Sequence, residues 1–199
     1  MGRKSLKEPR QKEIIKAFYK LAKKEGLENA SLAKTAEIIN IPPSLIIHYF
    51  RNKEHLVYGL VEYILDKYLL IFNIKNNNDC TSLEKLMHVI QNLFSDKWNI
   101  LFDDSVSYSC YSLAFRDKVI QKKYELLLNA LREKLEQLIV VCKNEGVVKV
   151  EDAVFTADLI FVIVDGAYYY LSLVSNKEQY AMKLQRYKKH AIGLLNISR

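Results

Sequence analysis

Glycine and proline are scarce in this chain, at 6 and 3 of 199 residues. Folds made of many short strands need such residues at their frequent turns, so the scarcity favours helices over a turn-rich all-β fold. Cysteine is sparse too. Cys80, Cys110 and Cys142 are odd in number, far apart and without a C-x-x-C pair, which excludes a secreted disulfide scaffold and points to a reducing cytoplasm. Residues 1–13 lack the apolar stretch of a secretory signal. Leu6 stands where a myristoylation pattern requires Ser or Thr. The longest apolar tract, Leu159 to Val174, contains Asp165 and is short for a membrane span, so it reads as a buried helix. There is no H-E-x-x-H, no Gly-rich phosphate loop and no Gly-x-Ser-x-Gly, and the four histidines (48, 55, 88 and 190) are scattered. No enzyme, cofactor or metal site is expected.

What is present is a chain that is half hydrophobic, enough for a sizeable core and too much for a disordered segment. The net charge of +7 is unevenly placed. Residues 1–55 hold 12 Lys/Arg against 6 Asp/Glu, whereas the remaining residues are close to balanced. A local basic excess suits a polyanion, because each neutralised phosphate releases counterions.

Periodicity gives a coarse map. A helix is expected from Arg10 to Glu25, with Ile14, Ile15, Phe18, Leu21 and Ala22 on one face and Lys12, Lys16, Lys20 and Lys23 on the other. Gly26 stops it. Ser31 caps a second helix in which Leu32, Ala36 and Ile39 face inward. Asn40 forms a turn in which a left-handed backbone is tolerated, Ile41 plugs the core, and Pro42-Pro43 open a third helix. A long helix follows over 53–74. The polar stretch Lys75 to Thr81 is the clearest break. Beyond it helices are expected near 82–101, 104–116, 117–144, 151–175 and 177–196, with a turn at Gly146. No internal repeat and no convincing strand is found. The fold class is therefore all-α.

Residues 31–56 read as two short helices joined by a tight turn, the construction of a helix-turn-helix. Ser31, Ala36, Ile41, Ile46, His48-Tyr49-Phe50, Lys53-Glu54 and Leu56 fall in register with one pattern. Residues 8–68 thereby resemble the DNA-binding domain of the TetR family of bacterial regulators. The Ile46-Ile47-His48-Tyr49-Phe50 run is similar to regulators of the betaine-synthesis type. Two positions depart from the family pattern: Asn40 stands where Gly is frequent, and Pro42-Pro43-Ser44 replaces a Ser-Lys-Gly-like start of the reading helix. The resemblance implies a domain over 8–68 and a helical ligand-binding and dimerisation domain over 75–199. Val164-Asp165-Gly166 would lie near a helix that packs against a partner subunit.

Within the third helix, Ile46 and Phe50 lie four apart and should point into the core. Pro43, Ser44, Ile47 and His48 should then face outward into a major groove, Ile47 suiting a thymine methyl. By family position His48, Tyr49 and Lys53 bind phosphates, and Ser31 joins the DNA-binding set. Each of these side chains carries a donor, which is what a phosphate contact needs. Aromatics crowd the second half. Trp98, Phe102, Tyr108, Tyr111, Phe115 and Tyr169 are candidate ligand-binding residues, for an effector of apolar or aromatic character. Tyr168, Tyr169 and Tyr170 cannot all face one core, since helical neighbours differ by about 100°. Phe155, Leu159, Val162, Gly166, Tyr169 and Leu173 share one face and are expected at a two-fold interface. The expected function is a homodimeric, cytoplasmic, ligand-released repressor that binds a double-stranded operator. The alternative is a helical ligand-binding or scaffold protein that does not touch DNA.

Overall fold

The computed structural model describes residues 4–73, 80–95 and 103–198, with side chains from residue 8 onward. Nine α-helices and one 3₁₀ turn occur among these residues, with a single isolated β-bridge, Val148 to Ile197. The helices are α1 (Lys4–Glu25), α2 (Leu32–Ile38), α3 (Pro43–Phe50), α4 (Lys53–Tyr68), α5 (Ser82–Leu93), α6 (Asp104–Leu113), α7 (Lys118–Asn144), α8 (Ala153–Leu171) and α9 (Lys177–Gly193). They form two compact units. The first comprises Met1–Tyr68 and Asn99–Glu125, the second Leu69–Trp98 and Leu126–Arg199.

The first unit is organised by α1, α2, α3 and α4. Ile14 and Phe18 of α1, Ala36 of α2, Ile46 of α3, and Leu56 and Leu60 of α4 are fully buried. Gly59 lets α1 and α3 approach α4, because a Cβ there would stand 3.1 Å from Phe50 and 3.2 Å from Ile15. Residues 99–125 would fall in the second half if the chain divided once, near 75. They group with the first 68 residues instead, and hydrogen bonds hold them there. The Asp103 N–H donates to the Tyr19 hydroxyl at 2.8 Å. The Lys23 ammonium sits 3.3 Å from the Asp103 carboxylate. The Tyr58 hydroxyl reaches Asp117 at 2.7 Å, and Lys123 pairs with Glu62.

The second unit packs α5, α8 and α9 with the remainder of α7 around Leu86, Ile90, Leu135, Ile139, Ile160 and Leu184. Its helix starts are capped by side chains: Thr81 and Glu84 form a reciprocal capping box, and Asp152 and Asn176 accept from Phe155 N–H and Gln179 N–H. The C-terminal residues are stitched to the α7–α8 turn by bonds from Lys149 N–H to Leu195 C=O and from Ser198 N–H to Val147 C=O.

Several expected boundaries move. Helix α1 begins at Lys4 rather than Arg10 and carries Pro9 inside it as its sixth residue. There the proline removes one hydrogen bond without ending the helix. Helix α4 gives way after Tyr68 to a 3₁₀ turn, Leu69–Phe72, and Ile74 lies outside the described residues. The helix expected over 82–101 runs from Ser82 to Leu93, and those expected over 104–116, 151–175 and 177–196 close three or four residues early, where last turns fray. A larger correction concerns the apolar tract in α8. It is long and apolar enough to cross a membrane by composition, but it is not buried all round. Ile160, Phe161, Val164, Ala167 and Leu171 point inward, whereas Val154, Phe155, Val162 and Tyr169 are exposed.

Candidate nucleic-acid interface

The helix-turn-helix is built by local chemistry. Ser31 Oγ accepts from Lys34 N–H at 3.2 Å and starts α2. Thr35, fully buried, donates its hydroxyl to Ser31 C=O at 2.7 Å, so it leaves no unpaired polar atom in the core. Asn40 takes φ +51°, and Ile41 N–H then reaches back to Ala36 C=O at 3.0 Å. Pro42 occupies the cap of α3 in an extended conformation, and Pro43 is the first helical residue, where a missing N–H is harmless.

These constraints fix which side of α3 is free. Ile46 and Phe50 are buried, while Pro43, Ser44, Ile47 and His48 are exposed and Tyr49 is half-buried. Ile47 keeps 50% of its surface open, on a helix whose neighbouring isoleucine has none. His48 and Tyr49 meet edge to face, with ring centroids 5.3 Å apart. Lys53 is reached after a two-residue turn and donates to the Glu28 C=O at 2.7 Å. That bond anchors the lysine stem and leaves two ammonium protons for another acceptor. The Asn52 side chain caps α4 by accepting from His55 N–H at 2.9 Å. Sequence reading had no means of finding the Lys53–Glu28 bond, because the partners are 25 residues apart and the acceptor is main chain.

The candidate ligand residues are divided between the two units and the residues outside the described ones. Trp98 and Phe102 lie outside the described residues. Tyr108, Tyr111 and Phe115 belong to the first unit, and Tyr169 to the second. Tyr111 packs edge to face on Phe115 at 5.5 Å and on Tyr124 at 5.2 Å. Of the consecutive tyrosines, Tyr168 turns inward and its hydroxyl donates to Leu93 C=O at 3.0 Å, while Tyr169 and Tyr170 stay exposed. The second unit also has an open groove of about 420 Å³, lined by Arg132, Glu133, Glu136, Asp152, Phe155 and Asp158 among others. Burial pushes the Cys110 thiol up to about 12, so it is not a thiolate at neutral pH.

Residues 81–197 match the family of tetracyclin repressor-like C-terminal domains, which is more than half of the chain. The chain belongs to this family. Its members are transcriptional regulators rather than enzymes, and a DNA-binding regulator is what the helix-turn-helix ahead of residue 81 makes of this one. The fold agrees over nearly its whole length. A TetR transcription regulator from Haloarcula marismortui superposes with a TM-score of 0.78 at 16% identity, over 94% of this chain and 97% of that one. A TetR-family regulator from a Rhodococcus species gives 0.69 at 16%, over 94% and 97%. A regulator from Saccharomonospora viridis in complex with choline gives 0.72 at 14%, over 96% and 100%. At such identities the likeness shows the fold alone. No curated protein matches the chain.

Proposed function

We propose that this TetR-family chain is a homodimeric repressor. Its two α3 helices would enter successive major grooves of a pseudo-palindromic operator, and a small molecule would release it. The observation that carries the reading is the division of α3. Its core face is spent on Ile46 and Phe50, and its free face offers Pro43, Ser44, Ile47 and His48. Ser44 and Ile47 would meet base edges. Tyr49, His48 and Lys53 would hold phosphates, together with Ser31, whose O–H proton is not used by its cap.

Dimerisation is supported by the outer side of α8. Phe155, Val162 and Tyr169 recur along it with Gly166 between them, and Leu173 follows just beyond its end. Gly166 has no neighbour within 4 Å of where a Cβ would stand, so a partner helix could come close. Two half-sites bound together then explain how one short helix per chain gives useful affinity. An effector in the C-terminal half acts only through a difference in its affinity for two conformers, and DNA and effector then oppose each other reciprocally. The aromatic candidates Tyr108, Tyr111 and Phe115 of the first unit suit an apolar or aromatic effector, or an organic cation such as the choline bound by the Saccharomonospora viridis protein. A cytoplasmic location follows from the same reading.

The test is selection of duplex DNA from a random pool by the full-length protein, followed by band-shift titration of the recovered sequence over a salt series. A recovered sequence with two-fold symmetry and half-sites about one helical turn apart is expected. Recovery of no preferred sequence would overturn the reading.

A further inference from the structure

Three non-glycine residues take positive φ among the described ones: Asn40, Arg51 and Asn196. Asparagine tolerates a left-handed backbone, but arginine gains nothing from it. Arg51 is nevertheless held in such a backbone. With φ +51° and ψ −52° it lies in the classic γ-turn region, and Asn52 N–H closes that turn by donating to Phe50 C=O. Such turns are strained, and glycine would adopt this one at no steric cost.

The strain is held in place from both sides. Arg51 N–H donates to Ile47 C=O at 2.9 Å and closes α3, while the Asn52 side chain caps α4. The root of the Arg51 side chain therefore sits on a rigid two-residue corner between α3 and α4. Its guanidinium is exposed, and none of the ion pairs among the described residues uses it. Glu54, the nearest carboxylate in sequence, lies 2.9 Å from the Tyr58 hydroxyl instead. His48 lies three residues before Arg51 and Lys53 two after it. The start of α4, the positive end of its helix dipole, is adjacent.

We propose that Arg51 is a DNA phosphate contact of the headpiece, its guanidinium presented by a strained turn that a glycine could make more cheaply. This rests on the reading of α3 as the DNA-facing helix. Backbone strain without a packing return is the pattern found at functional positions. A rigid anchor spares the ordering cost that a long side chain otherwise incurs on binding.

Four full-length variants decide it, titrated against the duplex recovered by selection: Arg51→Gly, Arg51→Ala, Arg51→Lys and Lys53→Ala. Arg51→Gly is expected to weaken binding about equally on all sequences. It should also lower the salt slope by about 0.9 per bound chain, the value of one lost phosphate contact. Its thermal midpoint should not fall. Arg51→Lys should retain the wild-type salt slope, whereas Arg51→Ala should not. If Arg51→Gly binds like wild type while Lys53→Ala is weakened, Arg51 is no contact and the DNA-facing role of the headpiece stands. If Gly and Lys lose binding equally and both melt early, the residue is structural and the proposal fails. If the wild-type chain binds no duplex in a salt-dependent way, the proposal and the reading beneath it fail together.

Discussion

Helices α3 and α8 each spend one face on their own unit and leave another open, and the open faces differ in kind. That of α3 is short, with prolines, a serine, a histidine and one isolated isoleucine, and cationic side chains follow at its end. That of α8 is long and apolar: Phe155 and Val162 are more than half exposed, Tyr169 is 69% exposed, and Leu173 just past the end is 80% exposed. A protein surface tolerates single exposed apolar residues, but a continuous stripe marks a contact with another apolar surface. Donor-rich surface beside one methyl-bearing side chain suits a charged backbone with bases between its strands. The residues left over after a helix has built its core thus indicate its partner's chemistry.

The strongest way to break this contrast is to charge the α8 face. Gly166→Arg should leave each protomer folded, since no atom lies within 4 Å of a Cβ there. It should yield monomers at micromolar concentration in sedimentation, and weaken operator binding by roughly 10²–10⁴, the usual gain from tethering two sites. A dimeric Gly166→Arg protein would move the interface elsewhere.

Next come the two adjacent isoleucines of α3, which should respond in opposite ways. Ile46→Ala should destabilise the first unit by about 2–5 kcal/mol, a cavity cost read from thermal or denaturant unfolding. Ile47→Ala should leave unfolding unchanged but cost ~1–3 kcal/mol at sites with thymine in the contacted half-site, seen as a shifted base preference on reselection. Equal behaviour of the two would mean that α3 does not present the face assigned to it.

The smallest effect concerns the seam between α4 and the start of α7. The Tyr58 hydroxyl is the main group that holds the Asp117 carboxyl below its ordinary range, helped by the backbone N–H of Ile120 and Val119. A depressed carboxylate stabilises the fold above its unfolded pKa, and that share is lost as pH falls through the depressed value. Tyr58→Phe should therefore lower stability slightly at neutral pH, with the difference from wild type shrinking as pH falls through the carboxylate range. Equal stability of the two proteins at neutral pH would show that the bond contributes nothing.

The headpiece was legible in the sequence because its signals are local. Ser31, Asn40, Ile41 and Pro42-Pro43 act on residues within five positions of themselves, so a linear reading reaches their capping and turn roles. The grouping of residues 99–125 with the first 68 was not legible, since it depends on Tyr19 meeting Asp103 and Tyr58 meeting Asp117 across long stretches of chain. The second face of α8 was legible as the stripe Phe155, Leu159, Val162, Gly166, Tyr169 and Leu173, but its exposure within one chain was not, because an apolar tract reads the same whether that face meets its own core or another surface. Arg51 escaped notice because nothing in R-N-K announces a positive φ, which arises only when α3 and α4 are both anchored.

The most direct measurement follows the affinity of the full-length chain for its selected duplex, and for an unrelated duplex, as salt is raised. Log affinity should fall linearly with log salt for both, with the selected sequence bound at least ~10³ tighter. Binding that ignores salt, or that treats the two duplexes alike, would contradict the assignment of α3 as a sequence-reading helix.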